Sequence, residues 1–113
     1  MTPEGTGTER RKEVRKRVNI TVLLKMGMLI NGRGTAKDIS PSGMRLVSPQ
    51  VFRSMSSVQA KDFEGSLLRV MLPAEGITVH GIVAWVDLKK GEGAISVQTT
   101  SDNEKWNSIA LAP

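Results

Sequence analysis

The chain contains no cysteine and a single histidine, His80. Without thiols there are no disulfides and no thiolate metal sites, and a reducing compartment, the cytoplasm, is the expected setting. One imidazole leaves little room for a His-based catalytic or metal constellation, and His80 reads as a strand residue. Tyrosine is absent, and the aromatics are Phe52, Phe63, Trp85 and Trp106 alone. Proteins that hold single-stranded nucleic acid stack its bases on aromatic platforms. Here Trp85 and Trp106 are both expected in the core, which leaves little for that purpose. No apolar run reaches membrane-spanning length, and the start shows no charged-then-apolar leader pattern. No pair of carboxylates stands at a spacing suited to acid–base work. The Gly-rich residues 31–34 lack the Lys-Ser/Thr of a phosphate-binding loop and read as a turn, or else as a twisted strand start. These absences exclude most enzyme classes: no catalytic residue and no metal ligand emerges, and no cofactor is expected.

What the chain does have is positive charge in one place. Of the net +5 carried by 113 residues, +4 lies in residues 9–17, which hold six basic and two acidic side chains. A concentrated positive arm implies an anionic partner: a nucleotide, a nucleic acid or an anionic membrane surface. Residues 1–8, rich in Gly and Thr with no apolar periodicity, read as a flexible terminus.

Downstream, residues 18–24 alternate apolar and polar with period two, as a half-buried strand does. A second short strand is expected over residues 35–39 and a continuation over 44–47. Residues 48–65 show no clean period of either kind, leaving a short helix or a long loop open. Strand patterns return at 67–72, 77–86 and 94–97, separated by Pro73, Glu75-Gly76 and Lys89-Lys90-Gly91-Glu92-Gly93. Ser101-Asp102-Asn103-Glu104 fits a capping box opening a helix over about 102–111, with Trp106, Ile109 and Ala110 on one face. Met26, Met28, Met44, Met55 and Met71 are expected to fill the core. About six short strands with Gly/Pro turns and one closing helix indicate a small β-barrel.

Two stretches carry chemistry. Arg11-Lys12-Glu13-Val14-Arg15 lies in the basic arm, and Asp38-Ile39-Ser40-Pro41-Ser42-Gly43 forms a polar turn. An Arg fork can bond guanine O6 and N7, stack on a base, or grip a phosphate. Asp38 can accept from the guanine N1–H and amino group, and Ser40 can add one bond. Gly43 lets a flat base approach the backbone, and is expected alongside that to supply a positive φ for the turn. The bland reading is a hairpin turn beside a solvated charge run.

In this order and spacing, the two motifs resemble those of the PilZ domain family. Asp-x-Ser-x-x-Gly arises by chance in such a chain only roughly a few per cent of the time. Val79-His80-Gly81-Ile82-Val83-Ala84-Trp85-Val86 is also similar to the family's penultimate strand. The resemblance implies a six-stranded antiparallel PilZ-type β-barrel with a short C-terminal α-helix. It would span residues 9–113 as a single domain: arm 9–17, barrel 18–100, helix about 102–111. It implies a non-enzymatic bacterial receptor that binds cyclic di-GMP and relays the signal to a partner protein. The ligand-binding residues would be Arg11, Arg15, Asp38, Ser40 and Gly43, with Arg10 a weaker candidate. Alternatives are a PilZ-like protein-interaction adaptor without nucleotide binding, a basic barrel binding nucleic acid, and an arm anchored on an anionic membrane.

Overall fold

The computed structural model describes residues 14–28 and 30–111. The expected flexible terminus, residues 1–8, and most of the basic arm lie outside the described residues. Six antiparallel strands are present: β1 (Lys16–Met26), β2 (Ile30–Ser40), β3 (Gly43–Val47), β4 (Leu67–Leu72), β5 (Ile77–Asp87) and β6 (Glu92–Thr100). They close into a barrel in the order β1-β2-β3-β6-β5-β4. Closure leaves each strand hydrogen-bonded on both sides, which removes the open edges that invite aggregation.

The period-two pattern places alternate side chains inside. Val22, Leu24, Ile39, Met44, Leu46, Leu68, Val70, Leu72 and Val79 are all buried in one core. The first strand begins at Lys16 rather than Val18, so Lys16 and Arg17 belong to the barrel wall and not to a separate arm. The Gly-rich residues 31–34 are a strand start and not a turn: they lie within β2. A Cβ on Gly32 would come within 2.6 Å of Val51 Cγ2, and one on Gly34 within 2.8 Å of the Val47 carbonyl. Glycine is needed there for close packing against the end of β3 and the segment that follows it. The actual bend between β1 and β2 is at Gly27, whose φ is +53°. It pushes Met28 outward, 99% exposed, so this methionine does not fill the core as expected, and neither does Met71, which alternation places on the outward face of β4.

The segment the sequence left open holds two short helices, α1 (Pro49–Phe52) and α2 (Ser57–Phe63). Ser48 caps α1, Pro49 occupies its first turn, and the Ser48 hydroxyl donates to the Arg33 carbonyl at 2.7 Å. Ser56 and Gln59 form a reciprocal capping box on α2, with bonds of 3.1 and 2.8 Å. Together they deliver Phe52 and Phe63, ring centroids 6.3 Å apart, to the core, the first helix against β2 and β6 and the second against β5.

The other end is closed by α3 (Asn103–Leu111), which buries Trp106 and Ala110. Its expected cap is displaced by one residue. Asp102 Oδ1 accepts from the Lys105 N–H at 3.0 Å, while Ser101 Oγ turns away to accept from the Thr78 N–H at 2.9 Å. Asp102 suits the position because its charge also favours the positive end of the helix.

Candidate functional site

Antiparallel register builds the site. β2 and β3 are joined by the two residues Pro41 and Ser42, so Ser40 faces Gly43, Ile39 faces Met44 and Asp38 faces Arg45. Two bonds from other elements hold this turn. The Val97 N–H donates to the Ser42 carbonyl at 2.8 Å, and the Trp106 indole N–H donates to the Pro41 carbonyl at 3.0 Å. With its indole 2% exposed, Trp106 couples the closing helix directly to the polar turn. Across the same end, Lys16 Nζ donates to the Ile109 carbonyl at 2.9 Å, tying the start of β1 to the last turn of α3. A cation there also meets the negative end of the helix.

On the outer wall, the pairings run in one row: Arg17 beside Asp38, Asp38 beside Arg45, Arg45 beside Ala94, Ala94 beside Trp85. The row follows the curved wall: β2 and β5 are three steps apart either way round the closed ring of six strands, so Asp38 and Trp85 face different sides of the barrel. Within the row, Arg45 Nε donates to Asp38 Oδ2 at 2.6 Å and Nη1 donates to Glu92 Oε1 at 3.1 Å. The pair with Asp38 raises the Arg45 pKa above its already high value. Its hydrogen bond is the largest cause, opposed by partial burial and aided by the charges of Asp38 and Glu92. Asp38 is thus a fixed acceptor at the surface of the barrel, oriented by a guanidinium that is itself held by a second carboxylate.

Ser40 is 6% exposed, and its hydroxyl takes no hydrogen bond among the described residues. Gly43 is not in the positive-φ region, so the turn does not demand glycine for its backbone. A Cβ there would meet the Ile95 carbonyl at 3.5 Å and Ser40 Oγ at 3.7 Å, which is ordinary contact. Neither conformation nor packing within the barrel requires glycine at this position. Arg15 is exposed and immediately precedes β1; since Lys16 pairs with Ile39, the register carries Arg15 toward Ser40. Arg10 and Arg11 lie outside the described residues.

Three residues of the row were not singled out by the sequence. Arg45 was legible in principle: a two-residue turn after Ser40 necessarily sets residue 45 opposite residue 38. Arg17 was placed outside the motif, yet it is the cross-strand neighbour of Asp38. Trp85 corrects an expectation outright, since it is 40% exposed rather than in the core. The register shifts between Val83 and Trp85, and the extra residue, Ala84, reverses the alternation that would have turned Trp85 inward. His80 lies away from this row, paired with Arg69 and Thr99. No group of three His, Cys, Asp or Glu suited to a metal occurs among the described residues.

The model of the PilZ domain matches residues 9–109. No curated protein matches the chain. Among solved structures, the PilZ domain of CeSA from a cellulose-synthesizing bacterium superposes with a TM-score of 0.60 at 13% identity, covering 86% of this chain and 94% of that one. The Bacillus subtilis inhibitor of motility, MotI/DgrA, gives 0.63 at 18% identity over 90% of this chain and 49% of its own. The K. pneumonia MrkH–c-di-GMP complex gives 0.61 at 18% identity over 90% and 51%. The chain therefore spans about half the length of the latter two. At these identities the neighbours establish the barrel, and the match of the family's model over nearly the whole sequence establishes descent: the chain belongs to the PilZ domain family.

Proposed function

We propose that this protein is a non-enzymatic receptor for cyclic di-GMP that passes the signal to a partner protein. The observation that carries the reading is Asp38, held in place by Arg45 beside a turn pinned by Trp106. A carboxylate fixed in this way is suited to accept from the N1–H and amino group of guanine. The Ser40 hydroxyl, with no bond among the described residues, adds a donor or acceptor beside it. Arg15, and Arg11 and Arg10 before it, would bring forked donors for the phosphates and the second base. Membership of the family and the c-di-GMP complex of the MrkH neighbour support the same ligand.

The competing nucleic-acid reading separates from this one by salt. A polyanion releases many condensed counterions on binding, so its affinity falls steeply with ionic strength. A ligand with two phosphates, held partly by base contacts, shows a shallow slope. Titration of the protein with cyclic di-GMP and with oligothymidylate, from low to physiological salt, is the test. Tight oligonucleotide binding at physiological salt without cyclic di-GMP binding would reverse the assignment.

Two substitutions probe named contacts. Gly43→Ala is expected to leave the urea midpoint almost unchanged, because the barrel has room for the methyl group. It should nevertheless weaken cyclic di-GMP about tenfold, since the base loses its close approach to the backbone. Arg15→Lys keeps the charge but loses the fork and the stacking surface. A loss of about tenfold or more in affinity is expected; binding like the parent protein would reduce Arg15 to bulk charge.

A further inference from the structure

The wall formed by β1, β4 and β5 carries a second cationic feature, remote from the Asp38 row. Inward residues Leu24, Val70 and Val79 alternate with outward ones, and register aligns Lys25, Arg69 and His80 in a single line. Leu23 and Met71 pair on one side of this line, and Leu67 and Ile82 on the other. Leu67 is 53% exposed. No carboxylate occupies an outward position in these paired stretches. Both ion pairs among the described residues belong to Arg45, so Lys25 and Arg69 have no ionic partner there. A recess of about 210 Å³ opens between Lys25, Arg69 and His80.

Beside it lies a larger recess of about 360 Å³, and Met26 lines both. Its apolar lining comes from Met26, Ile30, Val51, Met55 and Phe63; Asp62 is the carboxylate on its border. Residues 26 and 30 flank the β1–β2 bend, so this surface is at the end of the barrel away from the Ser40–Gly43 turn.

We propose that this surface docks a protein partner through an acidic segment that inserts one apolar side chain. The larger recess can take a side chain of Leu or Phe size as an anchor, and the cationic line receives carboxylates at its rim. That combination of a filled apolar pocket and a charged border is how stable protein contacts concentrate their energy. The unpaired positive charges would also speed encounter with an acidic partner. Nucleic acid has no apolar side chain to fill the recess. The inference does not depend on the nucleotide reading, and its site shares no residue with the Asp38 row.

The test is amide chemical-shift mapping of the isotopically labelled protein titrated with a short synthetic peptide of Glu and Leu. Oligothymidylate and phosphatidylserine vesicles serve as parallel arms. Saturable shifts centred on residues 25, 55, 67, 69 and 80 are expected with the peptide. Arg69→Glu should weaken the peptide about tenfold or more. Lys25→Glu is the second variant, and both positions lie on the outer wall, where charge reversal spares the core. Shifts confined to residues 14–17, or unchanged affinity in both variants, would overturn the proposal. So would mapping of oligothymidylate or vesicles, but not the peptide, to this surface.

Discussion

Asp38→Ala is expected to reduce the affinity for cyclic di-GMP by about thirtyfold or more while leaving the barrel folded. Removing one partner of a hydrogen-bonded charge contact that ligand binding would bury costs about 2–5 kcal/mol, most of it from the group left unpaired. About 1.4 kcal/mol corresponds to a tenfold change, so even the low end is a large loss. The effect on stability is expected to be much smaller. The Asp38–Arg45 pair is partly exposed, and Arg45 keeps Glu92 as a partner, so about 1 kcal/mol or less is anticipated. Calorimetric titration and urea unfolding of the same preparation separate the two effects. A variant that loses stability and affinity in parallel would make Asp38 a structural residue and not a ligand acceptor.

The second large effect concerns Trp106, which fills the end of the barrel and also bonds the Pro41 carbonyl. Trp106→Ala is expected to cost about 3–5 kcal/mol, as other buried aromatic truncations do. That is a substantial part of the total stability of a small domain. Trp106→Phe is the informative companion. It keeps most of the buried ring and removes the N–H, so its stability loss should be nearer 1 kcal/mol. Affinity for cyclic di-GMP should nonetheless fall, because the turn carrying Ser40 loses its anchor. Urea unfolding measures the first quantity and calorimetry the second. Unchanged affinity in Trp106→Phe would mean that the bond to Pro41 does not position the turn.

The polar turn and most strands were legible because their signals are local. A Pro-Ser pair between two alternating runs determines a hairpin, and alternation determines which side chains point inward. Trp106 was likewise readable from its helical spacing with Ala110. What escaped depends on contacts between distant segments. Gly32 and Gly34 look like turn residues until Val51 and Val47 are seen packing against them. Trp85 follows a run whose inward positions are 77, 79, 81 and 83, and only a bulge at Ala84 turns it outward. The helix start was misread by one residue because Ser101 finds a better partner in β5 than in its own helix. Residues 48–65 gave no period because two helices of four and seven residues are too short to display one.

The site was legible in part. Asp38, Ser40 and Gly43 were named from their motif, and the structure brings them together at one turn. Of the two roles expected of Gly43, the positive φ is not adopted by the chain. Arg45 and Arg17 went unremarked because charge on an alternating strand reads as an ordinary solvated face. Their relation to Asp38 is one of register, which depends on the turn length and on where the bulges fall.

The central claim is that a fixed carboxylate on this barrel reads guanine in a cyclic dinucleotide. Its most direct test is calorimetric titration of the protein with cyclic di-GMP and, side by side, with cyclic di-AMP. Adenine lacks the N1–H and the 2-amino group that Asp38 would accept from, and unmet polar groups discriminate strongly between ligands. Saturable binding of cyclic di-GMP, with cyclic di-AMP weaker by about a hundredfold or more, is the predicted result. No saturable heat with cyclic di-GMP, or equal affinity for the two ligands, would contradict it.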